Sequence, residues 1–133
     1  MKHVLFLCVQ NAARSQMAEA FFNTLAKGKA FAKSAGDKPA DRVNPLAVQV
    51  MSEVGIDISG NRPKKVTAEM VEEADVVVLM GCPENACPIT SKEVVDWQIE
   101  DPTGKTIEKV REIRDQIRRK VEDLLVELNV KGD

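Results

Sequence analysis

Cys8 is followed after five residues by Arg14 and then directly by Ser15, in the run Cys8-Val9-Gln10-Asn11-Ala12-Ala13-Arg14-Ser15. A thiol is a nucleophile as its thiolate, and a guanidinium presents a planar fork of donors that fits two oxygens of a tetrahedral anion. An apolar run, Val4-Leu5-Phe6-Leu7, precedes Cys8, and Gln16-Met17-Ala18-Glu19-Ala20-Phe21-Phe22 follows Ser15 at helical spacing. That context makes Val9, Gln10, Asn11, Ala12, Ala13, Arg14 and Ser15 a loop between a strand end and a helix start. Backbone N–H groups there converge with the positive end of the helix dipole. The loop is expected to bind an oxyanion and to favour the attacking thiolate of Cys8. The plainer alternative is a buried cysteine at a strand end and a surface arginine, since a Cys-x5-Arg match without context is weak. Asn11 tolerates the left-handed backbone such a loop needs. Ser15 is available either to donate toward the Cys8 sulfur or to cap the helix.

Two further groups have chemistry in reach. Asp101-Pro102 reads as a general acid on a stiffened turn, able to protonate an oxygen that leaves when a thiolate attacks, or as an ordinary turn. Cys82 and Cys87 stand in Gly81-Cys82-Pro83-Glu84-Asn85-Ala86-Cys87-Pro88, whose glycine and prolines suggest a mobile loop able to bring two thiols together. They read as redox partners of Cys8, as unreactive structural cysteines, or as zinc ligands. With His3 as the only histidine, the usual four-ligand spacing is missing and no metal is expected.

The elements that must position these groups follow from periodicity. Lys2 to Leu7 is a strand buried on both faces, and Ser15 to about Lys27 a helix with Met17, Ala18, Phe21, Phe22 and Leu25 inward. Ala30 to Gly36 is a second strand. Asn44-Pro45 caps a helix that carries Leu46, Val50, Met51 and Val54 and stops at Gly55. Residues 56–65 read as a loop, Thr67 as the cap of a short helix, Ala74 to Met80 as a third strand and Val94 to Ile99 as a fourth. The last helix runs from about 104–106 to Leu128. Ile107, Val110, Ile113, Ile117, Val121, Leu124 and Leu128 line its core side, and Arg111, Arg114, Arg118, Arg119 and Lys120 its solvated side.

Strands alternating with helices imply an α/β fold, with right-handed crossovers and a parallel sheet with helices on both faces. Ligands in such folds bind beyond the carboxyl ends of the strands. Strand ends at Cys8, near Cys82 and near Asp101 thus point to one rim. The 133 residues suit a single domain over 1–133, with 44% hydrophobic and 30% charged residues. Nineteen basic and 21 acidic residues give a net charge of -2, which suggests neither a nucleic-acid nor a membrane surface. The short apolar run after Met1 is no secretory segment, and three cysteines do not form a secreted framework, so a cytoplasmic location is expected.

The loop Cys8 to Ser15, including Asn11, with Asp101-Pro102, resembles the low-molecular-weight protein tyrosine phosphatase superfamily and, within it, the arsenate reductases that share its fold. The resemblance covers essentially the whole chain and implies a four-stranded parallel sheet in the order 2-1-3-4. The phosphatases usually carry aromatic residues around the pocket, whereas this chain has no tyrosine and follows Pro102 with Thr103-Gly104. Arsenate reductases carry a Cys pair after the third strand and a Trp-x-x-x-Asp-Pro segment, which Cys82, Cys87-Pro88 and Trp97 to Pro102 resemble. By that resemblance Cys8 attacks arsenate, for which phosphate or sulfate is an analogue, Arg14 and the loop hold it, and Asp101 protonates the departing oxygen. Cys82 then attacks Cys8, releasing arsenite, and Cys87 attacks Cys82, leaving a disulfide for thioredoxin or another thiol reductant. The alternative is hydrolysis of phosphotyrosine or small phosphoesters. Cys82 and Cys87 are closer together than in thioredoxin-coupled members, so low-molecular-weight thiols and glutaredoxin-like donors also fit. Some members hold potassium through Asn, Glu, Ser and Asp. Here Asn11, Glu19 and Ser34 match three positions and Lys64 takes the fourth, where its ammonium replaces the cation. No cofactor is implied.

Overall fold

The computed structural model describes residues 2–81 and 93–129. Its elements, in chain order, are β1 (Lys2–Cys8), α1 (Arg14–Ala26), β2 (Ala30–Gly36), α2 (Pro45–Glu53), α3 (Ala68–Glu73), β3 (Val76–Leu79), β4 (Glu93–Asp96) and α4 (Ile107–Glu127). The four strands form a parallel sheet in the order β2-β1-β3-β4.

The unbroken apolar character of β1 is explained by its central place, because alternate residues feed different cores. Val4, Phe6 and Cys8 pack with Met17, Phe21 and Phe22 of α1, Ala47, Val50 and Met51 of α2, and Ile113 and Ile117 of α4. Leu5 and Leu7 enter a smaller core with Ala35, Ala74 and Val77, against which Met70 and Val71 of α3 pack. Phe6 anchors the larger core, with ring centroids 6.0 Å from Phe22 and 5.6 Å from Trp97. Burial of side chains like these supplies most of the folding drive, about 25 cal/mol per Å² of apolar surface removed from water.

The caps expected at Asn44 and Thr67 close where local chemistry placed them, and Thr106 adds one at the start of α4. Asn44 accepts from Leu46 N at 2.8 Å with Pro45 in the first turn, Thr67 accepts from Met70 N at 3.2 Å, and Thr106 accepts from Lys109 N at 3.3 Å. Lys27, left-handed at φ 50°, and Gly28 at φ 82° end α1.

Three expectations need correction. The fourth strand stops at Asp96, because its partner β3 ends at Leu79, opposite Asp96, and the chain then turns at Gly81 (φ 84°). Beyond Asp96, among the described residues, the strand-like pairing continues only in the Trp97 N to Leu79 O bond of 2.8 Å, and Ile99 O is taken by a side chain, so Trp97 and Ile99 are held by burial rather than by a ladder. The third strand is likewise shorter than 74–80, although Asp75 N to His3 O and Met80 N to Leu7 O continue its contacts with β1 at both ends. Finally, Arg114 is not on the solvated side of α4. It is buried, donating to Val50 O at 2.9 Å, Glu53 Oε1 at 3.0 Å and Asp115 Oδ1 at 2.8 Å. The end of α2 abuts α4 there, and its unpaired carbonyl draws in the guanidinium.

Candidate active site

Beyond the carboxyl end of β1 lies a cavity of about 280 Å³, lined among the described residues by Cys8, Val9, Gln10, Ala12, Ala13, Arg14, Gly81, Asp101 and Thr103. No aromatic side chain is among them. The volume falls just under the range of about 300–1,000 Å³ usual for drug-sized ligands, which suits a small polyatomic ion.

The loop that follows β1 is held from outside. Lys38 N donates to Val9 O at 2.9 Å, Ala40 N to Gln10 O at 3.0 Å and Asn44 N to Ala12 O at 2.8 Å. A trans peptide points its N–H opposite its carbonyl, so the N–H groups of Gln10 and Ala13 turn away from the 38–44 segment, and both residues line the cavity. Helix α1 begins at Arg14 with no side-chain cap, leaving its positive end for an anion. At the end of β2, Gly36 permits this arrangement, since a Cβ there would lie 2.5 Å from Val9 O and 3.0 Å from Asn11 N.

Cys8 is buried at the cavity floor, its Sγ 2.8 Å from Ser15 Oγ. Asn11 adopts the left-handed backbone its type allows (φ 51°) and donates from Nδ2 to Ser15 Oγ at 2.7 Å. Ser15 therefore faces the thiol, and the capping alternative is not realised.

Arg14 reaches across the pocket. Its Nη1 donates to Ile99 O at 3.1 Å and its Nη2 lies 4.0 Å from Asp101 Oδ2. The guanidinium lies against Gly81, whose missing side chain makes the space. A Cβ there would fall 2.1 Å from Nη1, at a φ of +84° that already favours glycine. In the sequence Gly81 looks like loop punctuation, with its position before Cys82 as the one signal of a role.

Asp101 is both readings at once. Its Oδ1 accepts from Thr103 N at 2.9 Å, as in an ordinary Asx turn, while Oδ2 faces Arg14. Partial burial pushes the carboxyl up, but the Thr103 hydrogen bonds and the charges of Arg14 and Lys105 outweigh it and leave Asp101 below its usual range.

Behind the loop, the Lys64 ammonium lies 3.8 Å from Glu19 Oε1. Burial pushes Glu19 above the ordinary carboxylate range, opposed by Lys64 and by contacts with Ser34. A tethered ammonium already beside the carboxylate does not fit a bound potassium ion. Cys82 and Cys87, with the loop expected to carry them, lie outside the described residues, while Gly81, the residue before Cys82, lines the cavity. Gln16 was read only as a helix residue, yet it is completely buried and joined to Asn11.

The chain matches the family described as low molecular weight phosphotyrosine protein phosphatase over residues 3–133. It is 42% identical over 132 residues to the glutaredoxin arsenate reductase of Synechocystis sp., covering 97% of this chain and 100% of that one. A solved arsenate reductase in the phosphate binding state superposes with a TM-score of 0.83 at 38% identity, covering 96% of this chain and 98% of the other. The thioredoxin-dependent arsenate reductase of Corynebacterium glutamicum superposes with a TM-score of 0.78 at 34% identity. That match covers 96% of this chain and 63% of the other. Among the described residues, no helix is long and apolar enough to cross a membrane.

Proposed function

The chain belongs to the low molecular weight phosphotyrosine protein phosphatase family, and from that premise we propose that it is an arsenate reductase whose nucleophile is Cys8. The observation that carries this reading is the meeting of Cys8, Arg14 and Asp101 around one small cavity with no aromatic side chain among its described lining residues. The likeness to named arsenate reductases supports the substrate.

Arsenate enters the loop, where Arg14 and the inward N–H groups share its charge. The Cys8 thiolate attacks arsenic, forming a sulfur–arsenic bond, while an oxygen departs as water with a proton from Asp101. Held below its usual range, Asp101 is a carboxylate at neutral pH, and the negative charge of an anion beside it favours reprotonation on binding. Cys82 then attacks the Cys8 sulfur. The electron pair of the sulfur–arsenic bond stays on arsenic, which leaves as arsenite, and a Cys8–Cys82 disulfide remains. Cys87 attacks Cys82, freeing Cys8 and leaving Cys82–Cys87 for an external dithiol such as thioredoxin or a glutaredoxin-type donor. The names of two relatives support both donor classes. Gly81 at the cavity wall, next to Cys82 in sequence, supports the first transfer.

Arsenite formation with a dithiol donor should occur with the unsubstituted protein and vanish in Cys8→Ser and Cys82→Ser. Mass spectrometry after one turnover should find a Cys82–Cys87 bridge. Full turnover by Cys82→Ser would remove the relay. Hydrolysis of an aryl phosphate at an ordinary enzyme rate, untouched by substitution of Cys82 and Cys87, would instead select the phosphatase reading.

A further inference from the structure

We infer that Gln16 is a positioning residue that sets the reactivity of Cys8 through a directional hydrogen-bond chain running Gln16 to Asn11 to Ser15 to Cys8. This deepens the reading of Cys8 as nucleophile and rests on it. The side chain is completely buried, and each of its polar atoms is used. Gln16 Nε2 donates to Asn11 Oδ1 at 3.0 Å and to Arg62 O at 3.2 Å, while Gln16 Oε1 accepts from Asn61 Nδ2 at 3.2 Å.

The direction of the chain is fixed by backbone groups whose identity admits no choice. Arg62 O is an acceptor, so the amide nitrogen of Gln16 must face it. Lys64 N–H is a donor at 3.0 Å from Asn11 Oδ1, so the oxygen of Asn11 faces Lys64 and Gln16 together. The Asn11 amide nitrogen is thereby turned to Ser15 Oγ, which accepts at 2.7 Å. With its oxygen so occupied, the hydroxyl proton of Ser15 is free to point at Cys8 Sγ, 2.8 Å away, and a hydrogen bond given to sulfur favours the thiolate.

Gln16 bonds both the oxyanion loop, through Asn11, and the 61–64 segment, through Asn61 and Arg62. That segment is itself pinned to the end of β2 by Gly36 N to Lys64 O at 2.9 Å and Val66 N to Gly36 O at 3.0 Å. The brace therefore holds Lys64 N–H where it can orient Asn11. Gln16→Met keeps the shape and removes the bonds. Gln16→Glu places an acceptor against two acceptors, Asn11 Oδ1 and Arg62 O, and turns the chain against Ser15 donating to sulfur.

The test is alkylation of Cys8 by iodoacetamide without arsenate, followed on the Cys8 peptide by mass spectrometry across pH. Gln16→Glu should slow the reaction at pH 7 by about ten-fold and Gln16→Met by about three-fold, each moving the pH profile upward. In a Ser15→Ala background the same substitutions should change the rate by less than about two-fold, since the chain is already cut. An unmoved profile in Gln16→Met, whatever its melting temperature, or an undiminished effect in the Ser15→Ala background, would overturn the proposal. In the unsubstituted protein, the side-chain amide signals of Asn11 and Gln16 should both shift as Cys8 titrates. A Gln16 signal that stays put would be equally fatal. Alkylation uses no arsenate, so a failure of the reductase reading leaves this result interpretable.

Discussion

The turn after β1 and the turn after β4 bring groups to the same cavity by opposite means. Behind Cys8, the side chains of Asn11, Ser15 and Gln16 are wholly buried and satisfy one another, and the loop carbonyls are tied to the 38–44 segment. Asp101, by contrast, leaves 60% of its side chain exposed, held by Thr103 N and a 4.0 Å approach to Arg14. On the proposed reading Cys8 is the nucleophile and Asp101 the proton donor, and a nucleophile needs one geometry and one protonation state, which a dry network enforces. A proton donor has to meet an arriving anion and regain a proton from water, which burial would prevent. Exposed ion pairs are weak, about 0–1 kcal/mol, so the Asp101 turn is free to adjust.

Breaking the buried side should have the larger effect. Cys8→Ser should lower arsenite formation by about 10⁴-fold or more, measured with excess dithiol, while phosphate still binds. Arg14→Lys, which keeps the charge but loses the fork and the bond to Ile99 O, should cost about 10²–10³-fold in kcat/KM. A loss in Asp101→Asn as large as that in Cys8→Ser would erase the distinction between the two turns.

Asp101→Asn should cost about 10²-fold in kcat, with phosphate inhibition little changed. Because the free carboxyl sits below its usual range, its protonated fraction falls as pH rises from there. The unsubstituted enzyme's kcat/KM should therefore carry a component that declines with pH and is missing in Asp101→Asn. The sign for stability is separate: a depressed carboxyl adds stability above its unfolded pKa and loses it as pH falls through the folded one. With so exposed a side chain, acid unfolding should shift little.

Gly81→Ala links the two turns. It should displace the guanidinium and weaken phosphate inhibition by about ten-fold, with the melting temperature lowered. Unchanged inhibition would show that Arg14 has another resting place. The smallest effect belongs to Ser34→Ala. Ser34 Oγ is buried beside Glu19 without a hydrogen bond of good geometry, so thermal unfolding should change by less than about 1 kcal/mol, toward greater stability.

Local features of this chain are legible in its sequence, because adjacent residues decide them. The Cys8 to Ser15 loop, the helix start at Asn44-Pro45 and the Thr67 cap are local, each decided by a few adjacent side chains and dihedral preferences. Arg114 was misplaced because helical spacing alone cannot show that the end of another helix offers a carbonyl at its flank. The fourth strand was overlong because a strand ends where its neighbour does, and that neighbour turns away at Gly81.

The sequence by itself determined which candidate groups the chain carries and the order of the elements around them, since a thiol, a guanidinium and a carboxyl keep their chemistry in any fold, and periodicity is local. Only the tertiary structure decided that Gln16 braces Asn11, that Gly81 makes room for Arg14, and that Asp101 is exposed while Cys8 is not. Gln16 and Asn11 are only five residues apart, but the Arg62 carbonyl and Lys64 N–H that orient them are dozens of positions away, as Gly81 is from Arg14, and a linear pattern holds no record of which distant backbone group will arrive to complete a hydrogen bond.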